Sequence, residues 1–224
     1  MDSSFTGNSA VWCGGGVSWN GINGTIFNSI FVDNSANRNG GGVSWEGGKG
    51  AIYSSNFTSN YASSDGGLMF SSANGIIVNS IFSSNTAKYD FAGMLCNGKN
   101  SIITGCTFIN NTANRGGGAV GLGGDNKIIN NCIFIDNTAI SGNGGAISSI
   151  SINPRIVNCS FINSKSINSN NKFNGIYLQY ESTIDGGKGI VAILTNNGAL
   201  SGISIIVLNN ETYYYPPNSN INFI

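Results

Sequence analysis

Short apolar runs separated by polar Asn, Ser and Gly residues return in the same order along most of the chain. The repeating unit has about 26 residues and is marked by the motif F-x-x-N-x-A. Its Phe residues are Phe5, Phe31, Phe57, Phe82, Phe108 and Phe134, with a degraded copy of the motif at Phe161. The Asn residues three positions later are Asn8, Asn34, Asn60, Asn85, Asn111 and Asn137, and an Ala follows each of them two positions on. From Phe31 onward, an Ile stands five positions before each Phe. A Gly ten or eleven positions after the Phe keeps the same register.

The length of the apolar runs decides which secondary structure the unit forms. Runs of three to five residues interrupted by Gly and Asn are too short for helices and are typical of strands. Stacking each run on its counterpart one unit away predicts an all-β fold, a right-handed parallel β-helix of the pectin-lyase-like solenoid type. We expect about seven coils with three short strands each. Two structural ladders are expected, one of Phe31, Phe57, Phe82, Phe108 and Phe134 and one of Asn34, Asn60, Asn85, Asn111 and Asn137.

The polar columns predict how the chain turns between strands. Asn tolerates left-handed backbone geometry, and its amide can hydrogen-bond to the Asn of the next coil, so the Asn column is expected at a corner. Gly pairs such as Gly41-Gly42 are expected to provide a positive φ at another corner, where no Cβ would fit. The unit varies in length between the Ala and Gly columns, so extra residues are expected in that turn.

Two motifs together carry a family resemblance. F-x-x-N combined with G-G-A-[ILV], which is complete at 117–120 and 144–147, resembles the repeats of polymorphic outer-membrane proteins and of adhesin-like surface proteins of archaea and bacteria. The resemblance covers about residues 1–166. It implies a secreted or surface-displayed β-helix that serves in attachment and is often part of a much larger protein. Because the motif residues all build the coil, the resemblance indicates an architecture and not a ligand.

The repeat register ends near Ser166, and the remaining residues follow a different pattern. Apolar runs at 189–194, 203–208 and 212–215 predict strands, and Pro216-Pro217 ends the last of them. We therefore divide the chain into β-helix repeats over 1–178 and an irregular C-terminal β segment over 179–224. That segment is interpreted as a cap or linker, or as the start of an Ig-like module. Neither end has the pattern of a capping repeat, so we expect adjoining modules in a longer chain.

Charge and composition narrow the classes of partner. Ten Lys and Arg residues balance ten Asp and Glu residues, so no basic excess exists that would attract nucleic acid or an anionic membrane. No apolar stretch approaches the roughly 18 residues that a transmembrane helix requires. The first residues lack both the basic and the apolar region of a signal peptide. We expect no nucleic-acid partner, no membrane span in this chain and no cofactor.

Carbohydrate-active enzymes also use β-helices, and their chemistry needs carboxylates close together on one face. Asp65 and Asp90 each lie eight residues after the Phe of adjacent coils. If they stack, they lie about 5 Å apart and could bind a cation or share a proton. The ordinary interpretation is a pair of solvated turn aspartates. The absence of His excludes Ser-His-Asp and Cys-His catalytic sites and His-based metal sites. We predict no catalytic residue and no metal site, with a polysaccharide lyase or hydrolase as the alternative.

A column of cysteines lies two residues before the Phe column, at an inward position. It contains Cys106, Cys132 and Cys159, and the earlier coils carry Ser there. Stacked Cα atoms about 4.8 Å apart permit one disulfide. Small buried thiols are the more common outcome, and the odd total of five cysteines argues against a disulfide framework.

An aromatic column lies three residues after the corner Gly in successive coils and contains Trp19, Trp45 and Phe70. Facing outward, these rings would form a stripe that stacks on sugar rings, and facing inward they would belong to the core. We favour an exposed or half-exposed ladder, which makes Trp19, Trp45 and Phe70, together with Asp65 and Asp90, the candidate ligand-facing residues.

The pattern as a whole favours a non-enzymatic adhesin-like module at the cell surface or outside the cell. We expect it to present one face of a β-helix to a host or neighbouring cell, or to a glycan. The repeating residues are nearly all explained by the fold, so recognition is expected at the positions that do not repeat.

Overall fold

The computed structural model describes residues 2–167 throughout and, beyond them, the strands Ile176–Leu178, Thr183–Gly189, Ile193–Thr195, Ser204–Leu208, Glu211–Tyr215 and Asn220–Asn222. These described parts of the chain are all β. The strands wind into a parallel solenoid of about six turns with three sheets, which confirms the predicted parallel β-helix. The right-handed winding and the pectin-lyase-like classification stay predictions.

The largest sheet has 14 strands and consists of two stacks that meet in the long strand Arg155–Ile162. The Ile column runs through the first stack, which contains Thr25–Phe27, Ala51–Tyr53, Ile76–Val78, Ile102–Thr104 and Ile128–Asn130. The Phe column runs through the second stack, which contains Ser4–Thr6, Ile30–Val32, Asn56–Thr58, Ile81–Ser83, Thr107–Ile109 and Ile133–Ile135. Thr183–Gly189 pairs in parallel with Arg155–Ile162, and Asn220–Asn222 pairs in parallel with Thr183–Gly189.

Two smaller sheets complete the coil. The Ala sheet has seven strands, Ser9–Ala10, Ser35–Ala36, Tyr61–Ala62, Thr86–Ala87, Thr112–Ala113, Thr138–Ala139 and Lys165–Ser166. The Val sheet has eight strands, Val17–Trp19, Val43–Trp45, Leu68–Phe70, Met94–Cys96, Val120–Leu122, Ile147–Ser149, Ile176–Leu178 and Ile193–Thr195.

The last part of the chain contains the antiparallel pair Ser204–Leu208 and Glu211–Tyr215. These strands cover residues 204–208 of the predicted run at 203–208 and the whole predicted run at 212–215. Residue 203 lies outside the described residues. Residues 190–192 of the first predicted run and the predicted stop at Pro216-Pro217 lie outside the described residues. The boundary between residues 178 and 179, and the role of the C-terminal segment, stay predictions.

The Phe column forms the centre of the core. Each Phe of the motif pairs in register with the Phe of the next coil, as Phe31 does with Phe57. From Phe5 to Phe161, successive rings stack with their centroids 4.8 to 4.9 Å apart. Such offset contacts between rings add to the stabilisation that comes from burying them. The predicted Phe ladder is confirmed.

The Asn column forms a buried hydrogen-bond ladder beside the Phe core, as predicted. Asn60 Nδ2 and the Asn60 backbone N–H both donate to Asn85 Oδ1 at 3.0 Å. Asn60 Nδ2 also donates to the backbone carbonyl of Phe31 at 2.9 Å. The same pattern continues until Asn137, whose side chain donates to Ser164 Oγ at 3.4 Å. Because buried amides need partners, this stack of identical residues fixes the register of the coils.

The left-handed residues at this corner are not the Asn residues, so that part of the prediction was wrong. Positive φ falls on the residue before each Asn, in a column formed by Gly7, Asp33, Ser59, Ser84, Asn110, Asp136 and Asn163. A left-handed residue turns the chain and lets the next side chain point inward, where the Asn amide finds its partners. Short polar residues tolerate this geometry better than most others.

The Gly column is also required for a different reason than predicted. Gly42, Gly67 and Gly93 do not have a positive φ. A Cβ on Gly67 would lie 2.5 Å from the carbonyl oxygen of Gly93, so the coils approach too closely at this corner for any side chain. Positive φ occurs instead at earlier Gly residues of the same turn, such as Gly14 and Gly40. The column therefore maintains close stacking of the backbone.

Candidate functional site: the variable corner

The turn between the Ala sheet and the Val sheet is where the coils differ in length and composition. We call this surface the variable corner and define it as residues 11–13, 37–39, 63–65, 88–91, 114–116 and 140–143. Its loops are stacked by backbone hydrogen bonds. Arg38 N–H donates to Trp12 O at 2.9 Å, Ser64 N–H to Arg38 O at 2.8 Å, and Arg115 N–H to Tyr89 O at 2.6 Å. Side chains from successive coils are thus held next to one another on a rigid support.

The variable corner exposes aromatic rings. Trp12 is 69% exposed and Tyr89 is 39% exposed. The Arg115 guanidinium lies 5.0 Å from the centre of the Tyr89 ring, and Lys88 Nζ lies 5.2 Å from it. Cations at this distance from a ring are attracted by its electrons, so they keep the ring oriented.

The variable corner has an excess of positive charge. Arg115 Nη2 pairs with Asp90 Oδ1 at 3.1 Å, and Ser64 Oγ donates to Asp90 Oδ2, also at 3.1 Å. Arg38, Lys88 and Arg115 supply three cations, and Asp90 alone among the half-exposed corner residues supplies an anion. A chain that is neutral overall therefore presents a locally positive surface at this corner.

Asp65 and Asp90 do not stack, so that prediction was wrong. Asp65 forms parallel bridges with Asn39 and Phe91, and Phe91 occupies the position expected for Asp90. The cause is one extra residue in the fourth coil, where Phe91 follows Ala87 by four positions while Asp65 follows Ala62 by three. Two residues that follow their Phe by the same number of positions can therefore lie at different places in adjacent coils once the turn between them differs in length.

Asp65 is also buried and not solvated, with 1% of its surface exposed. Its Oδ1 atom is buried without a hydrogen-bond partner. Burial and the nearby Asp90 carboxylate raise the pKa of Asp65 from an ordinary 3.8 to about 7. Asp65 is thus a buried carboxyl group within the wall, and Asp90 is ion-paired with Arg115 at the surface. The two carboxyl groups are close enough to influence each other, but they do not occupy stacked positions.

The aromatic column faces inward, so the expected exposed ladder was wrong. Trp45 and Phe70 are both 0% exposed, and Trp19 is half-buried at the first coil. Trp19 and Trp45 stack with ring centres 5.1 Å apart, and each indole N–H donates to a backbone carbonyl two residues later. The Trp residues can be buried because these hydrogen bonds satisfy their polar atom.

A signal for this burial is present in the sequence. A Gly lies five residues after each of these rings, at Gly24, Gly50 and Gly75. A Cβ on Gly50 would lie 2.5 Å from Trp45 Cε2, so the ring fills the space that a side chain would need. Where the ring is replaced by Cys96 or Leu122, the Gly is replaced by Ser101 or Lys127. The covariation of ring and Gly within one chain indicates an inward ring.

Lys127 is a buried cationic residue just before the strand Ile128–Asn130. It is 1% exposed, and its Nζ donates to the backbone carbonyl of Gly98. Burial lowers the pKa of Lys127, and burial raises the pKa of the neighbouring Cys96 thiol to about 11. No column pattern identifies Lys127, since the corresponding residues in other coils are Gly, Ser and Pro.

In the part of the chain that the structure describes, no three His, Cys, Asp or Glu side chains are grouped to hold a metal ion. Within the same residues there is no helix long and apolar enough to cross a membrane. The variable corner combines aromatic rings with guanidinium and ammonium groups on stacked loops. This arrangement is suited to non-covalent binding of a ligand.

The solenoid and its columns define a parallel β-helical repeat protein. The family model of the Chlamydia polymorphic membrane protein repeat matches residues 105–121 and 131–150, which include both complete G-G-A-[ILV] motifs. The coils of this chain are therefore β-helix repeats of the polymorphic membrane protein type. No curated protein and no solved structure matches the chain.

Proposed function

We propose that this chain is a surface-displayed, adhesin-like module that attaches to acidic glycans of a host or neighbouring cell through the variable corner. One observation carries the proposal: exposed rings and an excess of cations gather at the turn that does not repeat. The repeating columns are occupied by the core, the Asn ladder and close backbone stacking. A ligand surface that can differ between related modules is therefore expected where the coil tolerates change.

The chemistry of the variable corner favours a glycan that carries carboxylate or sulfate groups. Aromatic faces such as those of Trp12 and Tyr89 pack against the apolar faces of sugar rings, and guanidinium groups such as Arg115 bind carboxylate and sulfate groups with paired hydrogen bonds. Arg38 and Lys88 add positive charge on neighbouring coils. A repeating polysaccharide could contact several coils at once, which would strengthen weak individual contacts.

The type of repeat supports a place at the cell surface. The matching family model describes a repeat of membrane proteins, and a stiff solenoid suits a module that holds a binding edge away from a surface. Asp65 is buried and Asp90 is held by Arg115, so neither carboxylate is free at the surface, which favours binding over turnover. We therefore place the chain among binding modules and not among polysaccharide lyases or hydrolases.

A glycan array with sulfated, carboxylated and neutral members tests the proposal. We expect the protein to bind acidic members and to lose that binding as salt concentration rises, because salt screens exposed charges. Trp12→Ala and Tyr89→Ala should each weaken binding at least tenfold, which corresponds to about 1.4 kcal/mol of lost contact. Arg115→Gln should act more strongly on sulfated than on neutral members.

Two matched controls separate the corner from the rest of the surface. Phe27 is a 49% exposed ring on the largest sheet, and Lys99 pairs with Asp125 at 3.6 Å as Arg115 does with Asp90. Phe27→Ala and Lys99→Gln should leave glycan binding unchanged. Equal losses in Phe27→Ala and Tyr89→Ala, or no binding to any acidic glycan, would refute the proposed surface.

A further inference from the structure

The cysteine column continues a structural column of serines. Ser29, Ser55 and Ser80 are buried, and each hydroxyl donates to the carbonyl two residues earlier at 2.8 to 3.0 Å. Cys106, Cys132 and Cys159 occupy the same position in the next three coils, and their thiols are directed to the equivalent carbonyls at 3.3 to 3.4 Å. The fold therefore accepts either Ser or Cys at this position. Because folding does not require a thiol here, the presence of three stacked thiols needs another explanation.

The three cysteines lie in adjacent coils along the solenoid axis. Ile133 N–H donates to Cys106 O and Ser160 N–H donates to Cys132 O, both at 2.9 Å, so Cys132 lies between Cys106 on one side and Cys159 on the other. The neighbouring thiols lower the pKa of Cys106 and of Cys159, and they raise the pKa of Cys132. Neighbouring coils place stacked Cα atoms about 4.8 Å apart, inside the range that a disulfide spans. Cys106 and Cys159 are two coils apart, about 10 Å, which is beyond that range.

We propose that this column is a redox site in which Cys132 forms one reversible disulfide, either with Cys106 or with Cys159. The oxidant is a low-molecular-weight disulfide. The three thiols are buried, with 0 to 2% of their surface exposed, so the oxidant reaches them when neighbouring coils separate locally. The thiolate of Cys106 or Cys159 then attacks one sulfur of the oxidant, forms a mixed disulfide and releases one thiol. The Cys132 sulfur then attacks the protein sulfur of that mixed disulfide and releases the second thiol. Two protein thiols become one disulfide, and the oxidant becomes two thiols.

The consequence of this chemistry is a covalent link between adjacent coils. The strands of neighbouring coils are otherwise joined by backbone hydrogen bonds and packing. A bridge between Cys106 and Cys132, or between Cys132 and Cys159, closes one whole turn of the solenoid and limits the ways in which coils can separate. Oxidation thus locks the fifth and sixth coils, or the sixth and seventh, and reduction releases them.

Peptide mapping after oxidation tests the proposal in the folded protein. Cys13 is half-exposed, so the Cys13→Ser variant removes a competing surface thiol. The variant is treated with dithiodipyridine, a small neutral disulfide, and then alkylated and cleaved with trypsin. The Lys and Arg positions place the three cysteines in separate peptides, 100–115, 128–155 and 156–165. We expect a bridge that always includes peptide 128–155 and that dithiothreitol removes.

Serine variants distinguish the possible bridges, and they are expected to fold because Ser is native to this column. Cys106→Ser and Cys159→Ser should each still form one bridge, while Cys132→Ser should form none. Ser80→Cys extends the column to four thiols, so two bridges should form and all four thiols should be consumed. A bridge between peptides 100–115 and 156–165, mixed disulfides alone, or unreacted thiols in a fully folded protein would overturn the proposal.

Discussion

At the scale of single residues, Asp65 shows how the length of a turn decides the environment of a side chain. Its backbone lies in a bridge between Asn39 and Phe91, and its carboxyl group is buried in the wall of the solenoid. Asp90 carries the same functional group one coil away, but one extra residue places it at the surface beside Arg115. The chemistry of the two carboxyl groups therefore differs although their distance from the repeated Phe is the same.

The burial of Asp65 makes the free energy of unfolding depend on pH. Its pKa is about 7 in the folded chain and near 3.8 when exposed, so folding favours the protonated form. Asp65 therefore costs no stability below about pH 4, and it costs progressively more as pH rises toward 7, above which its effect is constant. We expect the thermal unfolding midpoint of Asp65→Asn to exceed that of the native chain at about pH 8, with a smaller difference at about pH 4.

Asp90→Asn is the matched control, because this carboxyl group is half-exposed and lies in the same turn. It should change the midpoint little, since exposed ion pairs contribute about 0–1 kcal/mol. An Asp65→Asn protein that is less stable than the native chain at about pH 8 would contradict the assigned pKa.

At the scale of elements, the Asn ladder couples each coil to the two beside it. Asn85 accepts two hydrogen bonds from Asn60 and donates to Phe57 O and Asn111 Oδ1. The ladder satisfies polar groups that would otherwise be buried without partners between the two packed sheets. It therefore defines the register of strands that are only two or three residues long.

Asn85→Ala should destabilise the fold by roughly 2–4 kcal/mol, because it leaves the Asn60 donors and the Phe57 carbonyl buried without partners. Urea unfolding followed by circular dichroism measures the change. Asn56→Ala removes an exposed Asn from a strand of the largest sheet and should change stability by less than about 0.5 kcal/mol. Similar losses for the two variants would argue against the ladder as a source of stability.

The columns of the core were predictable, while the position of the aromatic rings and of the turn residues was not. Phe, Ile and Asn recur at a fixed distance from one another, so stacking alone aligns them. Side chains three residues after the corner Gly can point inward or outward. The pairing of each ring with a Gly five residues later favours burial, and the close contact between Trp45 and Gly50 shows it. Beyond the Ala column, the count of residues changes between coils, so the neighbours of Asp65 depend on where the extra residue lies. Lys127 is a different residue type from those at the same position in other coils, so its burial is seen only in the structure.

At the scale of the whole molecule, each coil contacts mainly the coil before it and the coil after it. The strand pairs join residues that are one unit apart, as Thr107 and Ile133 are. The free energy of unfolding of such a solenoid is approximately the sum of the stability of each coil and of the interactions between neighbouring coils. The number of coils can therefore change without a change in the architecture of those that remain.

Deletion of residues 107–132 joins Cys106 directly to Ile133 and should give a folded solenoid that is one coil shorter. Ile133 occupies the same position in its coil as Thr107 does in the coil before it. Each remaining strand therefore still pairs with the corresponding strand of a neighbouring coil. We expect the same circular dichroism spectrum per residue, and a smaller dependence of the unfolding free energy on urea because less surface is exposed. Deletion of 107–119 joins Cys106 to Val120, shifts the columns and should abolish cooperative unfolding. Equal behaviour of the two deletions would contradict a column-based fold.

The third coil has one residue fewer between Ala62 and Leu68 than the fourth coil has between Ala87 and Met94, so a coil can change its length at the variable corner while Phe57 and Leu68 keep their partners on both sides. The repeating core of the solenoid and the variable corner can thus evolve at different rates. Related proteins would then differ in the surface that antibodies or receptors contact, while the core of the solenoid stays the same.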